Sequence, residues 1–151
     1  MFDACHYRNK CIFFFAAIAL VAPLSAADPI TGLWKTFDDK THQVRGVMRL
    51  YEQDGAVFGK IESSVDPKEA ADVCDKCTGD RQNKPIIGLV ILRQMKRTGE
   101  NEYTGGDILD PDTGSVYKCK ITVADGGKKL VVRGFVGFSL LGRSQNWIRK
   151  E

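Results

Sequence analysis

Histidine is scarce in this chain: there are two in 151 residues, His6 and His42. Acid–base or zinc chemistry built on imidazole therefore has almost nothing to work with. An excess of one charge is also missing, since 22 Lys and Arg face 19 Asp and Glu, a net charge of +3. That balance excludes the basic face with which a protein tracks nucleic acid. No glycine-rich phosphate cradle followed by Lys-Ser/Thr occurs, and there is no internal repeat or low-complexity tract. No stretch keeps helical periodicity long enough to predict a full helix. No apolar run reaches the ~20 residues of a spanning helix.

The longest apolar run, Cys11 to Leu24, follows Arg8 and Lys10 and precedes Ser25, Ala26 and Ala27. A basic region, a short apolar region and a small-x-small exit predict a secretory signal peptide over residues 1–27, cut after Ala27. No cysteine follows the small residues, so lipidation of a new N-terminal cysteine is excluded, and no stable membrane insertion is expected after cleavage. The mature chain, residues 28–151, has the size of one domain and is long enough to bury one core. Its expected destination is the periplasm or the extracellular space. Loss of Asp3, Arg8 and Lys10 leaves it nearly neutral, at about +2.

What the mature chain does have is alternation. Val44, Gly46, Met48 and Leu50 alternate with Arg45, Val47, Arg49 and Tyr51, and Tyr117, Cys119, Ile121 and Val123 with Val116, Lys118, Lys120 and Thr122. Period two means half-buried strands. Asp54-Gly55 reads as a type I′ hairpin pair, and Asp110–Gly114 and Asp125–Gly127 mark two more turns. The pattern predicts about eight strands: Gly32–Phe37, Val44–Gln53, Ala56–Ser63, Gly88–Arg97, Glu102–Leu109, Ser115–Val123, Lys128–Val136 and Arg143–Lys150. The fold class is all-β. Hairpin-linked strands hide their edges best by closing into a small up-and-down antiparallel barrel, with a sandwich as the runner-up. One long segment, residues 64–87, interrupts the meander, with a short helical turn expected near Lys68–Val73. Loops of that length in compact domains are commonly functional or covering elements.

Cys74, Cys77 and Cys119 are the mature cysteines. An oxidising compartment favours a disulfide, and an odd count leaves one thiol over. The expected pair is Cys74–Cys77, a tiny loop worth about 2 kcal/mol at most. The alternative, Cys77–Cys119, would close about 43 residues and contribute about 4 kcal/mol, but Cys119 shares its strand face with apolar residues and fits a buried core thiol. Cys-x-x-Cys in redox enzymes belongs to a βαβ setting, which this chain lacks. Three cysteines with His42 would make a zinc set, yet only the Cys-x-x-Cys half has ligand spacing, so no metal site is assigned. Asp110 and Asp112 suit a proline-containing turn better than a calcium loop. Ser139 lacks the glycine a nucleophile elbow needs, since Leu141 stands there. No catalytic residue and no cofactor is assigned.

Longer motifs carry a resemblance. CDKCTGDRQNKPIIGLVIL, GGDILDPDTGSVYKCK and GGKKLVVRGFVGFSLLGRSQNW are similar to a family of small exported bacterial proteins catalogued as a domain of unknown function, DUF2147, over about Gly32 to Arg149. The resemblance implies a lipocalin-like barrel and transfers no catalytic residue. The opening Gly32-Leu33-Trp34 resembles the first-strand motif of lipocalins and the wider calycin group. In that group the tryptophan closes one barrel end against a basic side chain of the last strand. Here that role would fall to Trp34 and Arg149, which shares a strand face with Trp147; Arg143 is second choice.

The expected function is binding of a small apolar or amphipathic ligand inside the barrel. Met48, Leu50, Val57 and Ile61 on the second and third strands would line it, with Tyr117, Ile121 and Val132 on the sixth and seventh. Gly46, Gly59 and Gly134 would leave gaps on those faces. The apolar segment Gly134–Gly142 would be either a plug tucked into one barrel end or a portal for ligand. The alternatives are a filled barrel serving as an envelope interaction module and a thiol–disulfide enzyme using Cys74 and Cys77. No protein partner is readable.

Overall fold

The computed structural model describes residues 29–138 and 140–151. The signal peptide expected over residues 1–27 lies outside them. Eight antiparallel strands form one closed barrel in sequence order: β1 (Gly32–Phe37), β2 (Val44–Gln53), β3 (Ala56–Ser64), β4 (Val90–Arg97), β5 (Glu102–Asp110), β6 (Ser115–Ala124), β7 (Lys129–Phe135) and β8 (Gly142–Arg149). β1 pairs with β8 through Trp34↔Arg149 and Lys35↔Ile148, so no edge is left open. The strands match the alternation pattern within two residues at every end. The largest difference is the start of β4. Gly88 has a φ of 89° and donates its N–H to the Ile61 carbonyl, so it belongs to the returning turn.

Asp54 and Gly55 both have positive φ, 52° and 72°, as a type I′ turn requires. In such a meander every second turn opens on the same end. One end therefore gathers the β1–β2, β3–β4, β5–β6 and β7–β8 connections. The other gathers the remaining turns and the chain segment that enters β1.

β4 breaks the period-two rule. Leu92 and Met95, three apart, are both fully buried, because two residues of β3 oppose three of β4 and Gln94 takes a φ of 58°. Such a bulge bends and coils the strand, as closure of a small barrel demands. It fits because Gly106 of β5 lies beneath it: a Cβ there would sit 2.1 Å from the Arg93 carbonyl oxygen.

The turn-end that receives β1 is sealed. Ile30 and Trp34 are fully buried, and the indole N–H donates to the Ile30 carbonyl at 2.9 Å. The Arg149 guanidinium lies 4.2 Å from the Trp34 ring centroid and donates to the carbonyls of Gly127, Thr31 and Pro29. Above this seal Leu50, Val57, Leu92, Met95, Tyr103 and Ile121 fill the barrel. Gly59 leaves no gap here, because a Cβ on it would meet Leu50 Cδ2 at 2.5 Å.

The long connection between β3 and β4 is a strap along the outside and top of the barrel. It contains α1 (Pro67–Ala71), capped by Asp66, whose side chain accepts from the Lys68 N–H, with proline in the first turn. The expected helical turn near Lys68–Val73 thus starts one residue earlier and is shorter. Cys74 and Cys77 are joined, with a Cα–Cα distance of 5.3 Å, and both are buried. Cys119 is the free, buried thiol. Its burial, with the Asp107 carboxylate adding, pushes its pKa up to about 12.

Candidate functional site

The end opposite the Trp34 seal is open, and a cavity of about 640 Å³ descends from it into the barrel. Its floor is Met48, Val132 and Trp147, all buried, and its walls carry Ile61, Ile86, Ile91, Ile108 and Tyr117. Gly134 opens the wall: a Cβ there would find only ordinary contacts, 3.5 Å from Ile108 Cγ2 and Tyr117 Cβ. Four of the seven residues expected to line a ligand site, Met48, Ile61, Tyr117 and Val132, therefore do line the cavity. Leu50, Val57 and Ile121 face the barrel interior but stand in its filled half. Alternation marks the inward face of a strand and carries no information about height along the barrel axis.

The rim is polar and paired. Arg45 at the start of β2 spans two elements, reaching Glu69 of α1 at 2.5 Å and both oxygens of Asp112 in the β5–β6 turn at 2.8 Å. Hydrogen bonding to Asp112 foremost, and to Glu69, holds its guanidinium protonated above its ordinary value. Ser64 Oγ donates to the other Glu69 oxygen, which orients the carboxylate. Opposite, Asp39 pairs with Arg143 and accepts from Gln145 Nε2 at 3.0 Å, while Gln145 Oε1 accepts from the Trp147 indole at 3.4 Å. A polar relay thus runs from the rim to the floor.

Sequence reasoning missed Gln145, Asp39 and Arg45. Gln145 carried a usable signal, because it shares period-two parity with Trp147 and Arg149 on β8. Asp39 and Arg45 carried none, since their importance depends on which turns meet at the mouth.

Disulfide and strap contacts place the mouth. Cys74 Sγ rests 3.6 Å from the Pro111 carbonyl oxygen, and Lys76 donates to the Asp112 carbonyl at 2.8 Å. Lower on the wall, Arg93 of β4 holds Asp80 of the strap at 2.7 Å, with Arg81 and Asp107 3.7 Å apart beside it. The Arg93 side chain lowers the Asp80 pKa below the ordinary carboxylate value, and Thr41 N–H and O–H donors do the same for Asp38. A carboxylate whose folded pKa is depressed stabilises the fold above its unfolded pKa and loses that contribution as pH falls through the folded one. Strap attachment is therefore expected to weaken below about pH 4. Hydrogen exchange should detect faster opening of residues 79–84 in acid, and Asp80→Asn should bring that rate to neutral pH. Equal strap protection at pH 3 and pH 7 would refute it.

The Gly134–Gly142 segment is not a tucked plug. Val136, Phe138, Leu140 and Leu141 are all exposed, Phe138 by 81% and Leu140 by 87%, and Val136 and Leu141 form part of the cavity rim. Among the described residues no cluster of three or more His, Cys, Asp or Glu is arranged to hold a metal. Among them, too, no helix is long and apolar enough to cross a membrane.

The family described as "Uncharacterized protein conserved in bacteria (DUF2147)" matches residues 32–149, from the first residue of β1 to the last of β8. The chain belongs to this family. A solved structure similar to this DUF2147 protein is HP1028 from the human pathogen Helicobacter pylori, described as belonging to the lipocalin family. It superimposes with a TM-score of 0.72 at 18% identity, over 83% of this chain and 85% of that one. At that identity the likeness shows the fold: a lipocalin-like barrel. No curated protein sequence matches the DUF2147 chain.

Proposed function

We propose that this DUF2147 protein is an exported, non-catalytic carrier or sensor that binds one small apolar or amphipathic molecule in the mouth cavity. The observation that carries this reading is the cavity of about 640 Å³ above a filled half-barrel. That volume lies within the roughly 300–1,000 Å³ range of small-molecule sites. An apolar floor and walls would take a hydrocarbon or ring system. The paired rim, with Asp39, Arg143 and Gln145 at one side and Arg45 at the other, would face a polar end group.

Support for the non-catalytic part comes from how the lining is engaged: the rim carboxylates Glu69 and Asp112 are held by Arg45 and Asp39 by Arg143, and the walls and floor below them are mainly aliphatic and aromatic. Cys74 and Cys77, the pair a redox enzyme would use, are buried as a disulfide where an attacking thiol cannot reach them. A disulfide also accords with an oxidising compartment, and so with export directed by residues 1–27. An open upper half counts against the filled-barrel interaction module.

Gly134→Leu tests the reading. The new side chain would project between Ile108 and Tyr117, so binding of an apolar fluorescent dye is expected to weaken by about tenfold or more while the barrel stays folded. Gly59→Leu is not an equivalent probe, because it collides with Leu50 in the packed half. Dye titration with circular dichroism on the same samples measures both. Wild-type protein that takes up no dye and carries no co-purifying lipid would overturn the proposal.

A further inference from the structure

The β7–β8 connection holds the four most exposed large apolar side chains among the described residues, and the reading of the cavity does not use most of it. Phe138 and Leu140 do not line the cavity, and their exposures of 81% and 87% leave nearly all their surface in water. Val136 and Leu141, 65% and 72% exposed, join them to the cavity rim. Four large apolar side chains on one short connection make a concentrated patch, whereas isolated exposed apolar residues are ordinary.

The wall beneath that connection carries cations. Lys118 of β6 and Arg133 of β7 lie under it, while Lys120 pairs with Glu102 of β5, Arg143 with Asp39, and Lys129 with Asp125 at the sealed end, where Arg149 also stands. Lys118 and Lys120 lie on the outward face of β6, where Tyr117, Cys119 and Ile121 take the inward positions. Across the ladder Lys118 pairs with Phe135, and Lys120 with Arg133. Arg133 also donates to the Leu140 carbonyl and to Ser144 Oγ, bracing the connection from below. Val116, 47% exposed, continues the outward face of β6 toward the mouth. Carboxylates of the rim stand at Glu69, Asp110 and Asp112, where the strap meets the β5–β6 turn, and at Asp38 and Asp39, the latter paired with Arg143.

We propose that this side of the barrel docks on the surface of a bilayer containing anionic lipid. Phe138 and Leu140 would enter the headgroup–acyl boundary, and the cations of the β6–β7 wall would meet lipid phosphates. An apolar tip on a cationic wall is the arrangement interfacial binding uses: buried apolar area holds the protein, and charge attracts it to anionic headgroups. Val136 and Leu141 belong to both the tip and the rim, so docking brings the cavity mouth to the membrane. Docking itself does not depend on the cavity being a ligand site.

Flotation of the purified mature chain with vesicles tests this directly. Wild-type protein is expected to float with phosphatidylethanolamine vesicles carrying about one-third phosphatidylglycerol, and much less with phosphatidylcholine alone. The double variant Phe138→Ser/Leu140→Ser should lose about tenfold or more of that binding, from removal of two buried apolar side chains. Lys118→Glu should weaken binding to anionic vesicles several-fold and leave the weak neutral binding unchanged. Both variants should keep wild-type dye uptake, because none of these residues lines the cavity; this separates failure of docking from failure of the cavity reading. Absence of wild-type flotation, or flotation unaffected by the double variant, overturns the proposal. So does a wild-type dimer in sedimentation that the double variant abolishes, which would assign the patch to a second copy of the chain.

Discussion

Trp34→Ala is expected to lower stability by about 3–5 kcal/mol, the range for truncating a large buried aromatic side chain. Trp34 is fully buried at the sealed end, and three attachments go with it. Its packing is lost, the Ile30 carbonyl loses the indole donor, and the Arg149 guanidinium loses the ring it covers at 4.2 Å. Against a typical total of about 5–15 kcal/mol, that is a large fraction. Thermal unfolding should move down by roughly 10–20 °C for a domain of this size. Arg149→Ala should cost less, about 1–3 kcal/mol, because it strands carbonyls that keep partial access to water. A double-mutant cycle should return about 0.5–2 kcal/mol of coupling between the two. A Trp34→Ala protein within about 1 kcal/mol of wild type would mean that the seal is not a keystone of the barrel.

Gly106→Ala, the addition of a single methyl group, is expected to cost about 3 kcal/mol or more. The new Cβ would lie 2.1 Å from the Arg93 carbonyl oxygen and 2.8 Å from the Met95 nitrogen. Those are backbone atoms, so relief requires moving β4 itself. Moving β4 undoes the bulge that turns both Leu92 and Met95 into the filled half. Gly99→Ala, in the next turn, is the control: its Cβ would meet only the Glu102 side chain at 3.4 Å, and a change within about 0.5 kcal/mol is expected. Urea unfolding of both variants measures the difference. Equal midpoints would show that the bulge is adaptable and that Gly106 is present for another reason.

The strands were legible because each is a short-range object. Alternation in Tyr117–Val123 and the two positive-φ turn residues Asp54 and Gly55 are written within a few positions. The pairing Cys74–Cys77 was legible as the local choice, and the Cys119 alternative fails because that thiol faces the core. Trp34 and Arg149 are separated by nearly the whole barrel; their contact came from family resemblance and strand parity together. β4 departs from strict alternation, which would place Leu92 and Gln94 on one face. The bulge that puts Met95 there depends on a glycine in the neighbouring strand.

By itself, then, the sequence determined an all-β chain of eight strands, their order and the inward faces of those that alternate, and it favoured the local disulfide. Each rests on period two, on turn chemistry or on neighbours in the chain. Tertiary structure alone decided where the barrel is full and where it is open. Leu50 and Met48 have the same parity two residues apart, yet one is packed into the filled half and the other floors the cavity. It also decided that Arg45 joins Glu69 to Asp112 across the mouth, and that Phe138 and Leu140 stand in water. The physical reason is closure: height along the barrel and the meeting of distant turns are set by strand stagger and coiling around the whole ring. No window of sequence contains that information.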